Sequence, residues 1–343
     1  MNIYIICYII LSLLSIVFVV SGRFGKKLIY ILGCLLVLPL IALRAPTVGA
    51  DTPVYCRAFV STTIMSWADC FKTNWEPGLL LLMKLISTVF SDDVRIYIFL
   101  FGLISLIPLY IAIYRNVEYP AIGLIVFYTL FFRSAEYLNR HWIALLIVIN
   151  SFPYIVERKP VRFFIFILCA ACFHRTAIVF SLFYFIYLIP MNNTTVLASL
   201  PTTFLIWVSA PFIQRFLNYF ARMELVSEVR GGYALFVFLW ICFFICYALL
   251  HNRKGEGRIS LLLKMLLFAA VTQPLVFTFH IWARMLYFIF SLVYLLPIAL
   301  HEVLVNNIKS NRKIEIPVLF VFNGLLFVYF IKDGFEPFIP MTL

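Results

Sequence analysis

Arg44-Ala-Pro-Thr-Val-Gly49-Ala50-Asp51-Thr52-Pro53-Val-Tyr55 sets a guanidinium, a carboxylate, a tight turn and an aromatic ring directly after an apolar run. In a chain made almost wholly of apolar runs, such groups at a membrane edge are there to hold or transform something polar. Asp51 is placed to orient an arginine or to accept a hydrogen bond from a sugar hydroxyl, and Tyr55 offers a ring face. The plainer reading is an Asp-capped turn beside an interfacial arginine. Glu76-Pro77-Gly78 is a standard helix start, with an acid at the positive end of the dipole. It is equally a place for an acid, a base or an arginine partner. Arg133-Ser-Ala-Glu-Tyr-Leu-Asn-Arg140-His141-Trp142 packs two arginines, a glutamate and an asparagine between two apolar spans, which reads as a polar lining rather than a simple turn. His174-Arg175 interrupts the apolar stretch 161–189, and both groups are expensive at membrane depth unless paired or facing a wet cavity. Arg284, in His280-Ile-Trp-Ala-Arg284, stands in a similar place between two spans.

The chemistry these types allow is charge neutralisation by forked guanidinium groups, together with proton transfer by His174, Asp51 or Glu76. No Gly-rich phosphate loop is present, and no His, Asp and Glu residues fall at metal-ligand spacing. The expectation is therefore chemistry without a bound metal or cofactor. Cys169-Ala-Ala-Cys172 has redox-motif spacing but lies within an apolar run, and is read as small packing residues. Cys56 and Cys70 share a polar segment and could form a disulfide if it faces an oxidising compartment.

The elements that must position these groups are membrane helices. Of 343 residues, 64% are hydrophobic and 12% charged, and the mean hydropathy is +1.03. A soluble surface cannot be made from that composition, so the chain reads as an all-α polytopic membrane protein with about 11 to 12 transmembrane helices. Ile3–Val20 lacks a basic start and a small-residue cleavage site, and reads as a retained first helix. The expected organisation is a single integral membrane domain. Residues 44–95 form an outer loop with a short amphipathic or re-entrant helix at 78–90, and residues 214–232 form a second outer loop. Residues 161–189 are either one long helix or two short ones hinged at His174-Arg175.

The net charge of +12 is scattered between the spans, which argues against nucleic acid as a partner. With two spans in 161–189, the basic links around Arg23, Arg115, Arg158, Arg253 and Lys309 share one side. Lys and Arg alone divide evenly between the sides. Those on the second side lie largely in the long segments, which count less, so the first side is taken as cytoplasmic and both termini as outside. The outer basic residues are mostly arginine: Arg44, Arg57, Arg95, Arg133, Arg140, Arg175, Arg215, Arg222, Arg230 and Arg284. That bias suits an anionic ligand approached from outside; anchoring to lipid headgroups is the bland alternative.

Arg44…Val48-Gly49-Ala50-Asp51-Thr52…Tyr55…Phe59, Glu76-Pro77-Gly78, Arg140-His141-Trp142-Ile143-Ala144, Tyr154…Glu157-Arg158-Lys159 and Phe173-His174-Arg175-Thr176-Ala177 occur in that order. In that order they resemble the EpsG-type family of polysaccharide polymerases, which includes many O-antigen polymerases (Wzy). The resemblance covers roughly the first 190 residues; beyond them only hydropathy and Arg284 correspond. Ala50 stands where family members commonly have threonine, and His141 where they have glutamine.

The resemblance implies a metal-independent glycosyltransferase of the bacterial inner membrane, similar in fold to the lipid-linked-sugar (GT-C-like) transferases and facing the periplasm. It implies transfer of a growing glycan from undecaprenyl pyrophosphate to the non-reducing end of a lipid-linked oligosaccharide repeat unit, beside a separate chain-length regulator in the same membrane. On that reading Arg140, Arg175 and Arg284, with Arg44 and Arg133, meet the pyrophosphate. His174, Arg140, Asp51 and Glu76 serve catalysis, and Tyr55 and Trp142 stack on sugars. A flippase or other transporter of the lipid-linked oligosaccharide would show matching polar features in both halves. A sugar acyltransferase would place a carboxylate closer to its histidine, and an O-antigen ligase is separated mainly by the motif order.

Overall fold

The computed structural model describes residues 2–221, 232–278, 286–307, 312–331 and 338–341. The helices in chain order are α1 (Ile3–Val20), α2 (Arg23–Ala42), α3 (Thr52–Ile64), α4 (Pro77–Val89), α5 (Val94–Asn116), α6 (Pro120–Leu130), α7 (Phe132–Tyr137) and α8 (Asn139–Val156). They continue as α9 (Pro160–Phe173), α10 (Phe183–Ile186), α11 (Asn193–Ala221), α12 (Tyr233–Leu249), α13 (Gly257–Thr272), α14 (Leu286–Ile289), α15 (Ser291–Glu302) and α16 (Arg312–Ile331). No strand occurs among the described residues; the one extended contact is an isolated bridge between Arg44 and Pro340.

The expected first helix Ile3–Val20 is α1. Six segments are long and apolar enough to cross a bilayer by themselves: Ile3–Val20, Arg23–Ala42, Val94–Asn116, Asn193–Phe216, Gly257–Phe277 and Tyr287–Val305. Shorter apolar helical segments are Pro77–Val89, Pro120–Leu130, Pro160–Phe173, Arg175–Ile186, Tyr233–Leu249 and Glu315–Ile331. Pro120 opens α6, which cannot extend backwards through a residue lacking an N–H donor. At His174 the stretch 161–189 divides, as one of its two readings expected: α9 stops at Phe173 and a 3-10 helix runs from Arg175 to Leu182. The expected helix at 78–90 is α4. The expected loop 214–232 is corrected in part, since α11 continues helically to Ala221, while residues 222–231 lie outside the described residues.

The chain divides into two compact units. The first comprises Met1–Asn150, Ile165–Ile178 and Leu300–Leu343, and the second Ser151–Phe164 and Val179–Ala299. In the first unit α6 is apolar on all sides and nearly every residue of it is buried, as expected of a central helix. Gly102 lets α5 approach α2, because a Cβ there would lie 2.8 Å from the Cα of Ala42. Tyr8 donates to the Asn323 carbonyl at 2.7 Å and ties α1 to α16. Tyr55, Phe59, Leu79, Met83, Tyr97 and Phe101 form a core joining α3, α4 and α5. Cys56 and Cys70 belong to that core as free, buried thiols, so the disulfide considered above does not form. Cys169 and Cys172, expected to pack inside, are exposed on α9. In the second unit Phe180, Phe183 and Phe288 stack on one another and Phe268 meets Phe183 and Phe288 edge-on, with centroids 4.8–5.7 Å apart.

Candidate active site

Three separated stretches of the first unit converge on Glu76. It precedes Pro77 at the N-terminus of α4, in extended backbone, and is 4% exposed. Gly78 makes this approach possible: a Cβ would lie 2.8 Å from the Cys172 carbonyl oxygen, so only glycine lets the start of α4 lie against the end of α9. His174 follows that end directly. Its Nδ1 is 3.4 Å from Glu76 Oε1, within ion-pair reach but not aligned as a hydrogen bond, so the distance from a carboxylate that told against a sugar acyltransferase is closed in the fold. Arg140 comes from the first turn of α8, held by its neighbour Asn139, which is fully buried and donates to the Tyr97 hydroxyl at 2.9 Å. Arg140 Nη1 donates to Glu76 Oε2 at 2.7 Å. Burial opposes the Glu76 charge, but His174 and the hydrogen bond and charge of Arg140 outweigh it and hold the carboxyl at about 2.

Aromatic rings close one side. The Arg140 guanidinium sits 5.4 Å from the Trp75 ring centroid, and Tyr55 meets Trp75 edge-on at 5.8 Å. Burial pushes the Tyr55 phenol up, Arg140 pulls it back and Asp51 adds to the rise, which places both charges near that hydroxyl. Asp51 and Tyr55 lie one helical turn apart at the start of α3. Arg175 is exposed, with a long 3.4 Å contact from Nη2 to the Asn74 carbonyl. The His141 ring lies 4.9 Å from that of His174. Among the described residues no group of three His, Cys, Asp or Glu side chains could ligate a metal.

Asp51, Tyr55, Glu76, Arg140, His174 and Arg175 thus share one neighbourhood. Trp75 belongs with them and was missed, although it directly precedes Glu76-Pro77. The structure sets the other expected residues elsewhere. Arg133 is half-buried at a recess of about 210 Å³ lined by Tyr4, Gly49, Ala50, Glu136 and Tyr137, where Tyr4 donates to Glu136 at 3.1 Å. Arg44 is 1% exposed and donates through Nη1 to the Ile41 carbonyl and through Nη2 to the Glu136 carbonyl. Its backbone neighbours pair with residues 339–341, so Arg44 clamps chain segments together rather than facing a ligand. Trp142 is fully buried against Phe127 and Phe131, which leaves no ring face for a sugar. Arg284 lies outside the described residues.

Neither a curated protein nor a solved structure matches the chain. A family model described as EpsG family matches residues 26–343, well beyond the stretch where the motifs were recognisable. An all-helical membrane fold, a polar cluster built from the motif residues and a match over nearly the whole length agree: the chain belongs to the EpsG family.

Proposed function

We propose that this protein is a surface-polysaccharide polymerase of the inner membrane, working on the periplasmic face. It transfers a growing glycan from undecaprenyl pyrophosphate to the non-reducing end of a lipid-linked repeat unit. Family membership supports the polymerase class. The observation that carries the mechanism is His174, buried between Glu76 and His141, with an Nε2 that has no hydrogen-bond partner among the described residues.

In this reading Glu76 orients Nδ1, and Nε2 takes the proton from the acceptor hydroxyl as that oxygen attacks the anomeric carbon. The bond from anomeric carbon to pyrophosphate breaks, and undecaprenyl pyrophosphate leaves with its charge met by Arg175 and Arg140. Of the two, Arg175 is the freer anchor, since Arg140 already serves Glu76. Trp75, half-buried, presents ring surface to the sugars, while Tyr55, expected to stack on a sugar, is buried in the core of α3 to α5 and backs Trp75 edge-on.

The test is a gel of surface polysaccharide from the native host with the gene deleted. Collapse of the polymer ladder to a single-repeat band, restored by wild type but not by Arg140→Ala or His174→Ala at normal protein abundance, supports the polymerase. Loss of even the single repeat, with lipid-linked units retained inside, would point to translocation and overturn it.

A further inference from the structure

Helices α2 and α5 approach closely at Ala42 and Gly102, and nearer their other ends tyrosines of the two helices meet. There Tyr30 donates to the Tyr110 carbonyl at 2.8 Å and meets Tyr114 at a ring distance of 5.4 Å. Between the two helices lies a groove of about 520 Å³ with apolar walls, including Leu35, Ile107 and Ile111, all exposed. Two cations line it at one end of both helices, Lys27 from the second turn of α2 and Arg115 from the last turn of α5. Both are exposed, and neither makes an ion pair or hydrogen bond among the described residues. The Tyr110 hydroxyl in the same wall is also buried without a hydrogen-bond partner.

We propose that this groove binds one anionic glycerophospholipid, with its phosphate between Lys27 and Arg115 and one hydrocarbon chain along the apolar wall. Two unpaired cations at the rim of a hydrocarbon-facing slot are complementary to a phosphate carrying a chain. The undecaprenyl carrier does not fit here. The cations lie at the far end of α2 from the Arg44–Tyr55 turn, and a helix of that length spans about 30 Å, so a phosphate held there cannot reach Glu76 and His174.

Native mass spectrometry of the detergent-purified full chain, titrated with phosphatidylglycerol, phosphatidylcholine or undecaprenyl phosphate, tests this without any activity assay. One phosphatidylglycerol should stay bound, more tightly than phosphatidylcholine. Lys27→Gln with Arg115→Gln should weaken it about tenfold or more, from roughly 1 kcal/mol per basic residue near a lipid surface. Undecaprenyl phosphate should bind this double variant as it binds wild type. Ile111→Trp, which fills the groove, should weaken both phospholipids. Arg23→Gln, a charge change at the same end but outside the groove, should leave binding unchanged. Wild-type retention by the double variant, equal binding of phosphatidylcholine, a loss of undecaprenyl phosphate binding in the double variant, or an equal loss in Arg23→Gln would each overturn the proposal.

Discussion

Glu76 is shared between a guanidinium and an imidazole, and that sharing sets what single substitutions should do. Replacing Arg140 by alanine removes the donor on Oε2 and should lower polymer formation about 10²–10³-fold, the usual loss for one electrostatic donor at a reacting centre. Arg140→Lys, which keeps the charge but not the fork, should recover only part of it; full recovery would show that charge alone is needed. Folding depresses the Glu76 pKa from its ordinary 4.5 to about 2. The ionised cluster therefore stabilises the fold fully above about pH 4.5, and its contribution fades as pH falls towards 2. Thermal unfolding of wild type and Glu76→Gln at pH 7 and pH 3 checks this: the gap between them should narrow in acid, and a gap that widens would contradict the assignment. This cluster was only partly legible in the sequence. Each member could be picked out as a polar group beside an apolar run, but Glu76 and Arg140 are 64 positions apart and nothing local announces that they meet. Trp142 misled because an exposed and a buried indole look alike in a motif, and hydropathy cannot tell which one has Phe127 and Phe131 around it.

Among the elements, two glycines decide whether the site assembles. Gly49 has φ +92, and a Cβ there would meet Tyr137 Cβ at 3.0 Å and Thr52 Oγ1 at 2.9 Å. Gly49→Ala should destabilise by about 1–2 kcal/mol from the left-handed backbone alone, read as a fall in melting temperature. Gly78→Val should act differently. Its side chain would press on the Cys172 carbonyl, push α4 from α9 and separate Glu76 from His174, so polymer should fall more than stability does. If activity and melting temperature fall in proportion, the contact is merely structural. Both turns could be seen as Gly-containing breaks between apolar runs. What each glycine faces could not, since that depends on tertiary packing.

The whole molecule was the most legible level, because 64% hydrophobic residues in helix-length runs leave few alternatives. Less legible was which runs span, since α4, α6 and α9 are apolar yet too short to cross alone. The charge-based orientation makes a direct prediction. A reporter active only outside the cytoplasm should be on when fused after Asp92 and off when fused after Lys254; the reverse pattern would turn the protein over and place the Glu76 cluster on the cytoplasmic side. The division into two compact units had no sequence signal, because no linker rich in Gly, Pro or charge marks it.

The buried position of Arg44 bears on how genetic screens of this protein should be interpreted. An arginine whose guanidinium holds the carbonyls of Ile41 and Glu136 should be needed for the chain to persist, whatever reaction the protein serves. Arg44→Ala and Arg140→Ala would both erase the polymer ladder, and a screen scored on polymer alone would rank them together. They should separate on an immunoblot, where Arg44→Ala is depleted and Arg140→Ala is not. Quantifying the protein in the membrane is therefore what tells a structural arginine from a reactive one.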